Sequence, residues 1–152
     1  MAKPPRTASH GTFFLTAPTY QRRRIFDKTR NAELFLETLQ HYRREGHYKL
    51  HAFVAMPDHI HLLLTPQGIT IERAMQLIKG GFSHRLESNF PVWQRGYTDH
   101  RILTRDEHLS RLDYIHRNPV RAKHCEHPED YPWSSAYKAY THAPSAAEAA
   151  SR

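Results

Sequence analysis

Apolar positions fall along this chain in short blocks, each with its own period. "GTFFLTAP", from Gly11 to Pro18, is rich in Phe and Thr and predicts a first strand. Leu34, Phe35, Thr38, Leu39 and Tyr42 recur at helical spacing, which predicts a helix from about Asn31 that stops at Gly46. "YKLHAFVAMPDHIHLLLTP" predicts two strands, 48–55 and 59–65, joined as a hairpin by Met56-Pro57-Asp58, because Pro57 holds its φ near the value a tight turn needs. Ile71, Met75, Ile78, Phe82 and Leu86 predict a second helix over Thr70 to about Asn89. Gly80-Gly81 weakens it by roughly 1 kcal/mol per glycine relative to alanine. An extended piece from Val92 to Leu103 and a third helix from about Arg105 through Arg117 follow. The order β-α-β-β-α-β-α predicts an α+β fold, a ferredoxin-like antiparallel sheet with helices packed on one face.

The second strand of the hairpin carries the first sign of chemistry. Strand side chains alternate, so Ile60, Leu62 and Leu64 share the core face while His59, His61 and Leu63 share the other. Two neighbouring imidazoles are close enough to chelate one ion, although such a pair also suits a half-exposed strand facing water. On the third helix, Leu109, Leu112 and Ile115 form the expected apolar stripe, and Tyr114 lies about 160° round the cylinder from Leu112. Asn118 comes one turn later beside it, flanked by Arg111 and Arg117. Pro119 disfavours helical geometry at Asn118, so the helix is expected to end or kink there.

Charge and composition narrow the class. The chain has 152 residues, about one domain's worth, with 22 Lys and Arg against 15 Asp and Glu. That surplus favours a polyanionic partner, since basic groups displace counterions from phosphates, although it also fits a solvated surface. A single cysteine, Cys125, rules out an internal disulfide and a cysteine-cluster zinc site. No apolar run reaches a membrane span and no signal peptide is visible, so a cytoplasmic protein without membrane association is expected. Residues 1–10 and the tail 141–152 are polar and small-residue-rich, and are expected to be disordered arms around a domain over 11–140.

Taken in order and spacing, "MPDHIHLLL", "WQRGYTDHRI", "YIHRNPVRA" and "DYPWSSAYKAY" resemble the REP-associated tyrosine transposases, a branch of the single-tyrosine HUH transposases, over roughly residues 11–140. The resemblance implies that His59, His61 and Asn118 are metal ligands and Tyr114 the nucleophile. It also implies a magnesium or manganese ion and, as substrate, single-stranded DNA containing a short palindromic hairpin. Transesterification through a 5′-phosphotyrosyl enzyme would follow, with no water consumed. The chain departs from the family at Lys123-His124 and at Gly96, positions that bear on DNA contacts and not on the chemistry.

Around this centre, Trp93, Tyr97 and Trp133 are candidates to stack on unpaired bases, Trp also being a common core residue. Arg22, Arg23, Arg24, Lys79, His84, Arg85, Arg95, Arg101, Arg111 and Arg117 are candidates to follow phosphates, with the Arg22–Arg24 run read as a flexible basic loop or a solvated one. "DYPWSSAYKAY" fits either packing across the sheet or lying over the catalytic face. The chain is expected to work as a monomer or homodimer. Two other functions fit the same residues: a noncatalytic DNA- or RNA-binding module, and a metal-dependent phosphohydrolase with Asp58 or Asp113 as the nearest carboxylates.

Overall fold

Phe13, Leu15 and Ala17 alternate with Phe14 and Thr16 along β1 (Thr12–Pro18), so this strand has apolar side chains on both faces and belongs inside a covered sheet. The computed structural model describes residues 11–141. The expected arm 1–10 and the expected tail from residue 142 onward lie outside them. The remaining elements are α1 (Thr29–Arg44), β2 (Tyr48–Met56), β3 (His59–Pro66), α2 (Ile71–Leu86), β4 (Thr98–Ile102), α3 (Arg105–Arg121) and the short α4 (Lys138–Thr141). The four strands form one sheet in the order β2-β3-β1-β4, with each neighbouring pair antiparallel. The β2–β3 hairpin closes Met56 on His59 across Pro57-Asp58, as its turn chemistry predicts.

Helices α1 and α2 cover one face. Leu15, Ile60, Leu62 and Leu64 from the sheet meet Phe35 and Leu39 of α1 and Met75, Ile78 and Phe82 of α2 in the larger core. Burying each such side chain contributes about 1.5–3 kcal/mol. Helix α3 differs from the one-face arrangement: it crosses the opposite face, where Ile115 joins Phe14, Val54, Met56 and Leu63 in a second core. The reason is β1 and β3 themselves, since Phe14 and Leu63 leave an apolar strip that water cannot cover cheaply.

Three local expectations are corrected. Helix α2 stops at Leu86, with Glu87 in the left-handed region at φ 53, and does not reach Asn89. Only Thr98–Ile102 of the extended piece pairs with β1, while Trp93 makes a single bridge to Thr19. Helix α3 runs through Pro119 to Arg121. Proline removes one donor to the preceding turn, and here it is buried, so packing against the sheet outweighs the lost hydrogen bond. The segment around Trp133 settles the remaining ambiguity: Ala55 N donates to Trp133 O at 2.8 Å and Ser135 N to Phe53 O at 3.0 Å. It therefore pairs with the outer edge of β2, protecting an edge strand that would otherwise present free backbone groups.

Candidate active site and nucleic-acid interface

The hairpin turn is anchored before any functional side chain appears. Thr19 N donates to Asp58 O at 3.0 Å and Phe26 N to Pro57 O at 3.1 Å, so both turn carbonyls are held by the β1–α1 connection. His59 and His61 then rise from β3 on one face, their rings edge to face with centroids 4.9 Å apart. His61 is only 5% exposed and lies opposite Thr16 on one side and Val54 on the other. Its Nδ1 sits 2.9 Å from Thr16 Oγ1, and its ring stacks on Phe14 at 5.3 Å.

Electrostatics keeps this imidazole neutral. Burial, reinforced by His59 and more weakly by Arg111 and Arg121, depresses the His61 pKa to about 3, against a Leu15 backbone hydrogen bond that favours the charged form. His59 has a different partner, with its Nδ1 2.7 Å from Asp58 Oδ1. Burial pushes the Asp58 carboxyl up, but the hydrogen bond and charge of His59 and the Arg22 guanidinium outweigh it and hold it below its usual value. Both contacts are made through Nδ1, and the tautomer that carries its proton on Nδ1 presents Nε2 as its lone-pair nitrogen.

Helix α3 brings Tyr114 to this pair. The Tyr114 ring meets His61 edge-on at 5.5 Å and Phe14 at 5.8 Å. Of the expected stripe, Leu112 and Ile115 pack on the sheet, whereas Leu109 is 51% exposed and Tyr114 joins the packed side instead of turning away from it. A helix lying across a sheet contacts it at positions three and four apart, here Leu112, Ile115 and the buried Pro119, with Tyr114 beside them and Arg111 over Phe14. Asn118 lies on α3 one turn beyond Tyr114, carried there because the helix continues through Pro119. Among the described residues no three His, Cys, Asp or Glu side chains are arranged to hold a metal. A metal held by the two imidazoles would take a further ligand of another residue type, and the Asn118 amide oxygen is a donor of that type.

Two residues that sequence reasoning passed over complete the surroundings. The Arg121 guanidinium lies 4.2 Å from the centroid of the Tyr114 ring, and its Nη2 donates to Tyr114 O at 3.0 Å. Its signal was the seven-residue spacing from Tyr114, two turns along one face, but a helix ended at Pro119 hides it. Thr16, the second, is found only through the β1–β3 register.

The proposed DNA contacts divide. Arg111 stands over Phe14 at 4.7 Å beside the His61–Tyr114 cluster. Arg22 reaches the site, its Nη1 3.7 Å from Asp58 Oδ1 and 3.5 Å from His59 Nδ1. Arg24 turns to Asp27 at 2.6 Å and Arg117 to Asp113 at 2.9 Å. Lys79 donates to Gln94 O and Gly96 O, its pKa lowered by burial. Trp93 donates to Lys79 O and packs on Phe26, Phe35 and Phe82. Tyr97 and Trp133 also pack against the core. Arg85 folds back onto Gly81 O and the Tyr42 ring, and Arg101 lies over Gly11. His84 and Arg95 remain exposed.

With the geometry in place, comparison with known proteins gives the family. The family model described as Transposase IS200 like matches residues 9–118, a span that includes His59, His61, Tyr114 and Asn118. A REP-associated tyrosine transposase of Escherichia coli K12 is 25% identical over 130 residues, 84% of this chain and 78% of the relative. A Haemophilus influenzae protein assigned to the same class is 27% identical over 119 residues, 68% of this chain and 65% of its own length. Among solved structures, a REP-associated tyrosine transposase bound to a REP hairpin matches with a TM-score of 0.78 at 25% identity, covering 95% of this chain and 89% of that one. That match agrees with the α+β fold built above. The chain belongs to the IS200-like transposase family and is, with its tyrosine transposase relatives, an enzyme that cleaves and transfers DNA strands.

Proposed function

We propose that this chain nicks and rejoins single-stranded DNA at short palindromic hairpins, through a 5′-phosphotyrosyl intermediate on Tyr114 and with a divalent ion, magnesium or manganese. The observation that carries this reading is the juxtaposition of Tyr114 on α3 with His61 on β3, ring centroids 5.5 Å apart. A nucleophile and a metal ligand brought together from separate elements are what in-line phosphoryl transfer needs.

The donor set suits a divalent ion: Nε2 of His59 and His61 with the Asn118 amide oxygen. When bound, such an ion polarises a non-bridging phosphate oxygen and offsets the charge that develops during displacement. Asp58 orients His59, and Thr16 orients His61, so both lone pairs are presented without a conformational search. Arg111 and Arg121 on either side of the cluster supply positive charge for the strand. In the reaction Tyr114 Oη bonds to phosphorus as the bond to the 3′ oxygen breaks, and that oxygen leaves as a 3′-OH. Attack by a different 3′-OH reverses the step and restores the phenol, so strands are joined without water.

A noncatalytic nucleic-acid module is the alternative with the same surface. The phosphohydrolase reading is weaker, because Asp58 is tied to His59 and Arg22 and is poorly placed to take a proton from water. Labelled hairpin oligonucleotide incubated with the protein and manganese, then run on a denaturing protein gel, distinguishes them. A labelled band that maps to Tyr114 and disappears with chelator is expected. Hairpin binding without any adduct would leave the binding module, and a free 5′-phosphate would favour hydrolysis. That the solved relative is bound to a REP hairpin supports the choice of probe.

A further inference from the structure

Phe90 is 63% exposed, an unusual place for a large apolar ring, and it is not on a loose loop. Ser88 Oγ donates to Phe90 O at 2.9 Å and accepts from Phe90 N at 3.1 Å, so one hydroxyl clamps both backbone groups of this residue. Pro91 follows, and then Val92 is buried in the main core. The ring therefore projects from a fixed turn. Arg23 lies over it, guanidinium carbon 4.9 Å from the ring centroid.

The segment carrying Arg23 is equally constrained. Gln21 and Arg22 both have left-handed φ, 53° and 54°, which side chains with a Cβ rarely adopt. The conformation is held by Thr19, whose Oγ1 donates to Arg23 O at 2.6 Å, and by Tyr20 N donating to Val92 O at 2.9 Å. Such outliers persist only where surrounding contacts enforce them, and they concentrate at functional sites. Their effect here is directional: Arg22 turns to Asp58 and His59, while Arg23 turns to Phe90. The arginine over the Phe90 ring is thus the chain neighbour of the arginine that touches His59.

We infer that Phe90 and Arg23 form a stacking platform for one unpaired base of the DNA strand whose phosphate reaches the His59–His61–Tyr114 site. Every base has a flat apolar face suited to an exposed ring, and the flanking guanidiniums favour the negative strand that carries it. The inference rests on the proposed action at hairpin DNA and adds to it the place where the single-stranded part is held. Duplex DNA offers no free face, so the platform selects a hairpin bearing an unpaired flank over a blunt one.

The test uses the full chain and fluorescence anisotropy. The probes are a hairpin with unpaired flanks, the same hairpin with abasic flanks of equal phosphate count, and a blunt hairpin. Parent protein is expected to prefer the first probe. Phe90→Ala should lose about 5- to 150-fold affinity for it while matching the parent on the other two, the range expected for one stacked base. Phe90→Trp should retain binding, and Phe90→Ala should keep the parental salt dependence because no charge is removed. Equal loss on based and abasic flanks, or no loss on either, overturns the platform. So does light scattering showing that Phe90→Ala turns a dimer into a monomer, since the ring would then serve a second copy of the chain. Parent protein that binds none of the probes would instead refute the proposed action on hairpin DNA.

Discussion

The edge of the Tyr114 ring meets the His61 imidazole at 5.5 Å, and the Arg121 guanidinium lies 4.2 Å from the same ring. Phe14 makes a further edge contact, so the phenol is held by groups from β1, β3 and its own helix. Its hydroxyl accepts or donates no hydrogen bond among the described residues. Tyr114→Phe should therefore fold within about 1 kcal/mol of the parent and bind hairpin DNA equally well. It should form neither nick nor covalent adduct. Parallel Phe substitutions at Tyr97, Tyr131, Tyr137 and Tyr140, with the adduct mapped by mass spectrometry, check that no other phenol serves. A phosphonucleotide on any of those four would falsify the assignment of Tyr114.

Asp58 acts through His59. Asp58→Asn keeps the shape of the turn but removes the negative partner 2.7 Å from Nδ1. Manganese affinity, followed by electron paramagnetic resonance, should fall about 10- to 100-fold. His59→Ala should lose it altogether, and hairpin affinity in chelator should stay near the parental value because the basic groups remain. Unchanged manganese affinity in Asp58→Asn would remove the orienting role.

Arg121 caps the ring of Tyr114, the proposed nucleophile. Arg121→Met leaves an apolar side chain over the ring but removes the charge and the donor to Tyr114 O. Single-turnover cleavage is expected to slow by about 10-fold or more, with a smaller change in hairpin affinity, because a misplaced nucleophile costs rate more than binding. Arg121→Lys should recover only part of the rate, since an ammonium lacks the flat face that covers the ring. Equal losses in rate and affinity would make Arg121 an ordinary phosphate contact.

Adjacent glycines in α2 should respond in opposite directions. A Cβ at Gly80 meets nothing within 4 Å, so Gly80→Ala should stabilise by about 0.5–1 kcal/mol. A Cβ at Gly81 would come within 2.5 Å of Tyr42 Oη and 2.7 Å of its Cε2. Gly81→Ala must displace that ring from between the two helices, at a cost of about 1–3 kcal/mol. Urea denaturation of both variants tests the pair.

Acid should destabilise the metal-free protein through His61. Its folded pKa is about 3 and an unfolded histidine titrates near 6.5, so the unfolded chain binds more protons between those values. Stability is then full above about pH 6.5 and falls as pH drops, by up to about 2 kcal/mol at pH 5 for this one residue. Burial lowers His51 and His116 too, adding losses of the same sign. Urea midpoints at pH 7 and pH 5, compared with those of His61→Gln, should show a smaller drop for the variant.

Much of the fold was legible from local pattern. Period-two and helical spacings located the four strands and the three long helices in the right order, and Pro57-Asp58 marked the hairpin, because backbone sterics and alternation act within a few residues, whereas the short α4 went unread. That His59 and His61 share a face follows from strand geometry alone. The ordered motifs also carried the family, whose model matches residues 9–118 and so takes in the first two motifs and the start of the third. Helix α3 shows where such reasoning stops. Its apolar spacing points to Leu112 and Ile115, which do pack, but also to Leu109 and away from Tyr114, and Pro119 reads as a stop, yet the helix turns Tyr114 toward the sheet and continues to Arg121. Which side of a helix is buried depends on the surface it meets, here the strip of Phe14 and Leu63 beside His61, and those residues lie far from α3 in the chain. The same holds for charge. Arg22, Arg23 and Arg24 are identical neighbours in sequence, but left-handed backbone at Gln21 and Arg22 sends one to His59, one to Phe90 and one to Asp27. Residue type determined what each of these side chains can do; only long-range packing decided which partner each one meets.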